Sequence, residues 1–265
     1  MKKIAWLLLI VLAPARNTGN NFVGVKEGEC PWAVRVLKIS GDGKTTLFTG
    51  SLIDPTWILT SASCCTQPET NQYTWKVLLS ASCQSIATPR IKLDVLQCIP
   101  KPEYSIEDKK TWGNDIGLVQ LRTAVGGKNI HLAKLPKDRD DSVEELGQMG
   151  GYVPSGIAEA STKLAKPLEM PVYPSVICPA FHWLERVGHG FCAGNRHAAQ
   201  ITQSDLGAGF VIKTKPRVIG VVSEIMPRGI LYSPVYMVKV WSHLDWLRKT
   251  MKSQHRSTGL PSDSA

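Results

Sequence analysis

Several common signals are absent from this sequence of 265 residues. It contains no Asn-x-Ser/Thr acceptor, so we expect no N-glycosylation. It contains no phosphate-binding loop and no nucleic-acid-binding motif, and His182, His189 and His197 lack the spacing of a zinc site. We therefore expect no nucleic-acid partner, no bound metal and no cofactor.

Long hydrophobic runs are also scarce. The run at residues 4–12 is about half of the roughly 20 residues that cross a bilayer, and no later stretch is long and apolar enough. It follows two lysines and precedes small residues, which is typical of a secretory signal peptide. We expect a signal peptide at residues 1–15, a short propeptide-like segment at residues 16–21, no transmembrane segment after cleavage, and a secreted, extracellular protein.

Charged residues make up only 20% of the chain, and their signs are unequal, with a formal net charge of +9. Together with a hydrophobic content of 43%, this composition predicts a globular protein rather than a disordered one. The positive charge favours anionic partners such as heparin-like glycans or membrane surfaces through long-range attraction. The alternative is that the positive charge only keeps the protein soluble.

Cysteine is present at seven positions, an odd number that leaves at least one thiol free or paired with another molecule. Because an exported protein meets oxidising conditions, we expect disulfide bonds.

Short β-type runs separated by turn residues predict an all-β barrel or sandwich rather than βαβ units. A hairpin is expected between residues 32–39 and 45–53, because Ser40-Gly41-Asp42-Gly43 is a typical turn sequence. Further strands are predicted at residues 57–61, 73–79, 91–99, 116–121, 147–153, 168–172, 209–214, 218–223 and 234–240.

The last part of the chain changes to a helical period, because Trp241, Leu244, Leu247 and Met251 recur at helical spacing. This predicts a helix at about residues 241–253, followed by a flexible tail at residues 255–265. Its basic residues are either a solvated helix end or a contact for polyanions. They are Arg248, Lys249, Lys252 and Arg256.

Six segments, in order along the chain, together resemble the trypsin/chymotrypsin serine protease family. They are PWAV at residues 31–34, FTGSLI with WILTSASC at 48–64, NDIGLVQL at 114–121, FCAG at 191–194, SDLGAG at 204–209, and the stretch from PVY to Leu247. The resemblance implies two antiparallel six-stranded β-barrels and a C-terminal α-helix. It extends over residues 22–254, with the first barrel at about 22–124 and the second at about 125–240.

The resemblance also bears on the cysteines. It implies a disulfide between Cys178 and Cys192, whereas the family partner of Cys64 is replaced by Thr49. The pairing of the other five cysteines stays open: Cys30, Cys64, Cys65, Cys83 and Cys98.

The family's catalytic triad is altered at two of its three positions. In that triad a serine oxygen attacks, a histidine takes its proton, and a buried aspartate orients the histidine. Ser63 stands at the histidine position and cannot act as a base near neutral pH. Leu206 stands at the serine position and has no oxygen with which to form an acyl-enzyme. Asp115 stands at the aspartate position.

The positions around the triad differ from the family pattern as well. The resemblance implies a degenerate oxyanion site, with Ser204 in place of a glycine. Gln200 corresponds to the base of the specificity pocket, and Ile225 corresponds to a glycine of its wall, so we expect a pocket that is filled and uncharged. Glu224 stands at the neighbouring aromatic position.

The family's activation step is also missing from the pattern. In the family, cleavage after a basic residue frees an ammonium group that pairs with the aspartate before the nucleophile. Asn21 stands at the cleavage position and Asp205 at the receiving aspartate. Because a buried, unpaired carboxylate is costly, we expect Asp205 to be solvated, protonated or paired elsewhere, in a single-chain, zymogen-like second barrel.

The leading hypothesis is a secreted, non-catalytic serine protease homologue that acts by binding a protein such as a protease, an inhibitor or a receptor. The alternative is a basic effector that binds polyanions such as glycosaminoglycans. A third, less favoured hypothesis is residual serine-type endopeptidase activity, with a cysteine of the Cys64-Cys65 pair as a variant nucleophile.

Overall fold

The structure is a computed structural model. It describes residues 31–67, 72–79, 91–127, 130–137, 146–150, 168–173, 178, 189–194, 201–212, 217–225 and 234–258.

The first barrel is closed, with the strand order β1-β2-β3-β6-β5-β4. Its strands are β1 (Ala33–Ser40), β2 (Thr45–Asp54), β3 (Trp57–Thr60), β4 (Tyr73–Leu79), β5 (Ile91–Pro100) and β6 (Gly117–Leu121). All neighbouring strands pair antiparallel. The predicted hairpin between β1 and β2 is confirmed, and Gly43 takes a φ of 82° in its turn.

The second barrel has the strand order β8-β7-β10-β11-β12-β9. Its strands are β7 (Gly147–Met149), β8 (Leu168–Met170), β9 (Gly190–Ala193), β10 (Gly209–Ile212), β11 (Val218–Glu224) and β12 (Val235–Lys239). An antiparallel bridge from Val172, just beyond β8, to Ala193 joins the two ends of this order. The expected architecture of two six-stranded antiparallel barrels is therefore confirmed.

A hydrophobic cluster fills the space between the barrels and holds the C-terminal helix against them. From the first barrel it contains Trp57 and Leu118, and from the second it contains Val221 and Val238, all fully buried. Leu247 of the helix belongs to the same cluster. Because burial of one such side chain is worth about 1.5–3 kcal/mol, this shared core fixes the two barrels relative to each other.

The C-terminal helix differs in its limits from the prediction of residues 241–253. A 3-10 helix occupies Val240–His243, and the α-helix α2 runs over Leu244–Thr258. A spacing of three residues fits both kinds of helix, so the pattern could not locate the change between them. Residues 255–258 of the predicted flexible tail are helical instead, because α2 continues through Thr258.

Two disulfide bonds lie among the described residues. One joins Cys178 to Cys192, the pair implied by the resemblance. The other joins Cys65 to Cys98 and leaves Cys64 as a buried free cysteine. Cys30 and Cys83 lie outside the described residues. Among the described residues, no helix is both long enough and apolar enough to cross a membrane.

Candidate functional site

Three short helical segments carry the positions that resemble the triad. Ser63 lies in the one-turn helix α1 (Ala62–Cys65), directly after β3. Asp115 follows a 3-10 helix at Lys109–Asn114. Leu206 follows a second 3-10 helix at Gln203–Asp205, on the second barrel. All three lie at the face where the barrels meet.

Ser63 and Asp115 are in direct contact. The amide of Ser63 donates a hydrogen bond to Asp115 Oδ1 at 2.7 Å, and Ser63 Oγ lies 3.4 Å from Oδ2. Ser63 Oγ also donates to Ser61 Oγ at 2.9 Å. A hydrogen bond links the Tyr104 side chain to Ser63. Hydroxyl groups therefore surround the side chain of Ser63.

Asp115 is buried among neutral donors. Besides Ser63, the hydroxyl of Ser223 donates to Oδ2 at 2.7 Å, and the backbone of Ala62 is a further donor. Burial raises the pKa of Asp115 to about 6, because desolvation outweighs these hydrogen bonds. The nearby carboxylate and burial together also raise the pKa of Tyr104.

Leu206 lies where the two barrels touch. Its side chain packs against the buried clusters of both barrels, and its carbonyl accepts a hydrogen bond from the amide of Thr49 at 2.9 Å. The carbonyl of Ser204 accepts from Thr49 Oγ1 at 2.9 Å and from Arg35 Nη1 at 3.2 Å. The loop is thus held to strands β1 and β2 by its main chain, and an apolar side chain fills the junction.

Asp205 is buried and accepts hydrogen bonds from a residue of its own loop. Its carboxylate accepts from the amide of Thr202 at 2.8 Å and from Thr202 Oγ1 at 3.1 Å, which together cap the short 3-10 helix. This is a pairing of the kind expected from the sequence. The segment around Asn21 lies outside the described residues.

The pocket positions are only partly described. Ile225 is half-buried and packs against the core of the second barrel. Glu224 ends β11 beside Tyr236. Burial raises the pKa of the Tyr236 phenol, and Asp115 and Glu224 raise it further. Gln200 lies outside the described residues.

The basic residues of the helix are close to a second basic segment. Arg248, Lys249 and Lys252 are exposed on α2, and Arg248 Nη2 donates to the carbonyl of Lys137 at 3.4 Å. Arg256 lies in α2, but its side chain is not described.

Sequence reasoning missed two residues that complete the polar cluster. Ser223 was noted only as a strand end and Tyr104 was not singled out, yet both reach Ser63 or Asp115 in the structure. The available signal was the position of Ser223, which follows the buried strand residues of β11 and precedes the pocket positions.

Comparison with known proteins shows what the chain is similar to. Rattus norvegicus tissue-type plasminogen activator is 26% identical over 246 residues, which are 84% of this chain but 43% of that protein. Mus musculus granzyme F is 24% identical over 254 residues, covering 93% of this chain and 97% of that protein. The chain thus spans less than half the length of the first relative and nearly all of the second.

Solved structures agree with the arrangement of the two barrels. The structure of HL collagenase superimposes with a TM-score of 0.71 at 21% identity and covers 87% of this chain and 98% of that chain. The sequence model of one family, described as Trypsin, matches residues 21–247. This chain, with its two barrels, its terminal helix and its buried Asp115 at their junction, belongs to the trypsin family.

Proposed function

We propose that this chain is a secreted, non-catalytic member of the trypsin family that acts by binding another protein. The observation that carries the proposal is the contact between Ser63 and Asp115. Asp115 is bonded to an amide and hydroxyls in the place where the family has an imidazole, and a hydroxyl cannot take a proton near neutral pH. Leu206, on the facing loop, has no nucleophilic atom.

The neighbouring positions support the loss of hydrolysis. Ser204 replaces the glycine of the family's oxyanion site, and its carbonyl is bonded to Thr49 and Arg35. Asp205 accepts hydrogen bonds from the amide and hydroxyl of Thr202, which precedes the short 3-10 helix, and this contact supplies the carboxylate with donors from its own loop. A single-chain second barrel is part of this proposal, and an N-terminal sequence that starts at Phe22 would contradict it.

The test of inactivity uses a fluorophosphonate probe and peptide esters on the purified protein. We expect no stoichiometric labelling and no hydrolysis above that of buffer. Labelling or turnover that grows with protein concentration and disappears in Asp115→Asn would place activity at this site. That result would overturn the non-catalytic proposal in favour of residual peptidase activity.

A surface for a protein partner adjoins the altered site. Residues 101–114 lead into Asp115, and Tyr104 of this segment is bonded to Ser63. Ile106, two residues further on, is 60% exposed, the highest value among the large hydrophobic side chains that the structure describes as exposed. We take this exposed apolar side chain, close in sequence to the polar cluster around Asp115, as the contact point for a protein partner.

The binding role is tested by a pull-down from extracellular fluid at low and high salt. We expect a protein to be retained at high salt, because apolar contacts are not screened by ions. Ile106→Ser should reduce its recovery. Leu132→Ser is the matched control, because Leu132 is also exposed, at 42%, but lies on the segment that connects the barrels. Equal recovery with both variants would contradict a role for Ile106.

Binding of polyanions is a second candidate, and the contact between Arg248 and Lys137 favours it. This contact brings the exposed lysines of α2 and the connecting segment onto one surface, which also includes Lys134. Heparin should then be retained at low salt and released as salt rises. Lys249→Ser with Lys252→Ser should elute earlier than the native chain, whereas Lys76→Ser, on the first barrel, should not. This candidate would be excluded if elution from heparin depended neither on the salt concentration nor on Lys249 and Lys252.

Secretion is part of the proposal. Two disulfide bonds among the described residues are consistent with an oxidising compartment. The N-terminal pattern that suggests export lies outside the described residues. Expression of the full sequence in secretory cells, followed by N-terminal sequencing of the medium fraction, tests it. Recovery of the chain only inside the cells would contradict secretion.

A further inference from the structure

Three cysteine sulfur atoms form a cluster between α1 and β5. Cys65 and Cys98 are joined by a disulfide bond, and the Sγ atoms of these two and of Cys64 all lie within 4.8 Å of one another. Cys64 and Cys65 are buried, whereas Cys98 is partly exposed. Solvent therefore reaches this disulfide from the side of Cys98.

The free thiol is an unreactive neighbour in the folded protein. Burial raises the pKa of Cys64 to about 12, because the apolar surroundings disfavour the thiolate more strongly than Lys38 favours it. Since the thiolate is the attacking species in disulfide exchange, Cys64 does not compete for the bond near neutral pH. The Cys65–Cys98 bond is consequently open to attack by a thiol from solution rather than by the thiol of Cys64.

Cys98 lines a groove along strands β4 and β5 of the first barrel. The groove has a volume of about 500 Å³, within the range of about 300–1,000 Å³ for small-ligand sites. Strands β4 and β5 form its walls, with Tyr73, Trp75 and Leu96 among the lining residues. Because this disulfide borders a groove of ligand size, a small molecule can approach Cys98 without unfolding the barrel.

The charged residues of the groove favour an anion. Lys76 pairs with Asp94, so that the two charges largely cancel. Arg122 also lines the groove and is exposed, and it lowers the pKa of Asp94 only weakly in comparison with Lys76. One positive charge is thus left in excess among the described lining residues.

We propose that Cys98 is a modification site for small anionic thiols of the glutathione class, which enter the groove and form a mixed disulfide. The sulfur of the incoming thiolate attacks Cys98 Sγ and forms the new S–S bond. The bond from Cys98 to Cys65 breaks, and its electron pair leaves with Cys65 Sγ, which takes a proton from water. The exchange needs no oxidant, because one disulfide and one thiol give one disulfide and one thiol.

This modification does not rest on the proposed function, because the exchange uses neither Asp115 nor Leu206, although Cys65 lies in the same short helix as Ser63. The chain also provides a matched reference. Both cysteines of the Cys178–Cys192 disulfide are fully buried. Exposed disulfides are the labile ones, so the two bonds should differ in their reaction with the same thiol.

The experiment treats the native protein with reduced glutathione, alkylates the free thiols under acid quench and maps the peptides by mass spectrometry. We expect glutathione on Cys98, an alkylated Cys65 and an unchanged Cys178–Cys192 bond. Cys64→Ser should give the same product, because Cys64 does not take part. Absence of the adduct on Cys98, an adduct on Cys65 instead, or equal reaction of both disulfides would overturn the proposal.

A second measurement tests the charge preference. The rates with glutathione and with cationic cysteamine are each divided by the rate of the same thiol with a small disulfide, which removes differences in thiol reactivity. Arg122→Gln should lower the ratio of glutathione to cysteamine by up to about tenfold at low salt. For a charge about 6 Å away in water, the rate of the anion falls about threefold and that of the cation rises about threefold. Lys252→Gln, on the terminal helix, should leave that ratio unchanged. An unchanged ratio in Arg122→Gln would show that the groove does not select anions.

Discussion

At the scale of single residues, the hydrogen-bond donors around Asp115 determine how the junction tolerates a buried charge. These donors are the amides of Ala62 and Ser63 and the hydroxyls of Ser63 and Ser223. All of them are neutral, so the carboxylate is stabilised by dipoles alone. Because its pKa is raised to about 6, Asp115 is still mostly ionised at pH 7 and depends on these donors.

Removal of one donor should therefore destabilise the protein in a pH-dependent way. Ser223→Ala removes the 2.7 Å bond to Oδ2 and should raise the pKa of Asp115 further. We expect a loss of about 1.5–3 kcal/mol in the free energy of unfolding at pH 7, where the bond is made to a charged group. The loss should fall to about 1 kcal/mol at pH 4.5, where Asp115 is protonated.

Urea denaturation of the native chain and Ser223→Ala at the two pH values measures this difference. Ser253→Ala is the control, because Ser253 is exposed on α2 and its hydroxyl donates to the carbonyl of Thr250 in the same helix. It should cost less than about 0.5 kcal/mol at either pH. A loss in Ser223→Ala that is equal at both pH values would contradict an ionised Asp115.

At the scale of elements, the turn after Leu206 brings the second barrel against the first. Gly207 has a φ of 86°, and a Cβ atom placed on it would lie 2.2 Å from Thr60 Oγ1 and 2.3 Å from the carbonyl oxygen of Thr49. The turn thus needs glycine for its backbone conformation and also for its close approach to β2 and β3. Gly43 has a similar φ of 82° but no atom within 4 Å of the same position.

These two glycines separate backbone strain from contact between the barrels. Gly43→Ala should reduce the free energy of unfolding by only about 1–2 kcal/mol, the cost of a left-handed alanine. Gly207→Ala should cost at least about 3 kcal/mol, since the carbonyl of Thr49 belongs to a paired strand and cannot move alone. Thermal unfolding of the two variants compares these losses. Equal losses of unfolding free energy would mean that the two barrels can move apart at this turn and relieve the contact.

The strands show how far sequence reasoning reaches at this scale. The strand at Tyr73–Leu79 matches its prediction, because alternating burial along it agrees with the alternating pattern in the sequence. Strand β9 was identified only through the FCAG segment of the resemblance, since four fully buried residues show no alternation. The start of α2 was placed three residues too early, because a 3-10 turn and an α-helix share the spacing of Trp241 and Leu244.

The sequence could not predict the partner of Cys65 or the partner of Asp205, for a different reason. Cys65 meets Cys98 because β5 is bonded to β6 with Cys98 opposite Val119, and α1 packs beside those strands. That register is a property of the closed barrel and not of any local segment. Likewise, the sequence shows that Asp205 needs a partner, but only the turn of the loop brings Thr202 to it.

At the scale of the whole molecule, two buried groups have opposite effects on stability as pH changes. Asp115 has a pKa raised to about 6, so its contribution to stability is complete below its unfolded pKa of about 3.9 and is lost as pH rises through 6. His243 has a pKa lowered to about 4, mainly by burial. Its contribution is complete above its unfolded pKa of about 6.5 and is lost as pH falls through 4.

His243 lies where the terminal helix meets the first barrel, so its titration affects both. Its Nε2 is 2.9 Å from the carbonyl of Gly113, and the ring of His189 lies 5.7 Å away. Lys101 and Glu103 act on it with opposite signs, Lys101 lowering the pKa and Glu103 raising it. Protonation of His243 would place a charge under α2, next to the segment that leads into Asp115.

We therefore predict that the two groups nearly cancel in the native chain between pH 4 and pH 7. Each pKa shift corresponds to about 2–3 kcal/mol over this interval.

His243→Gln should leave the effect of Asp115, so its stability should fall towards pH 7 relative to the native chain. Asp115→Asn should leave the effect of His243, so its stability should rise towards pH 7 by a similar amount. An exposed carboxylate of lowered pKa that interacts with neither group, such as Asp94, contributes equally to all three proteins and drops out of the comparison. If denaturation curves of the three proteins ran parallel across this interval, neither buried group would be titrating in the fold, and the neutral donors around Asp115 would have to hold its pKa near that of an ordinary aspartate.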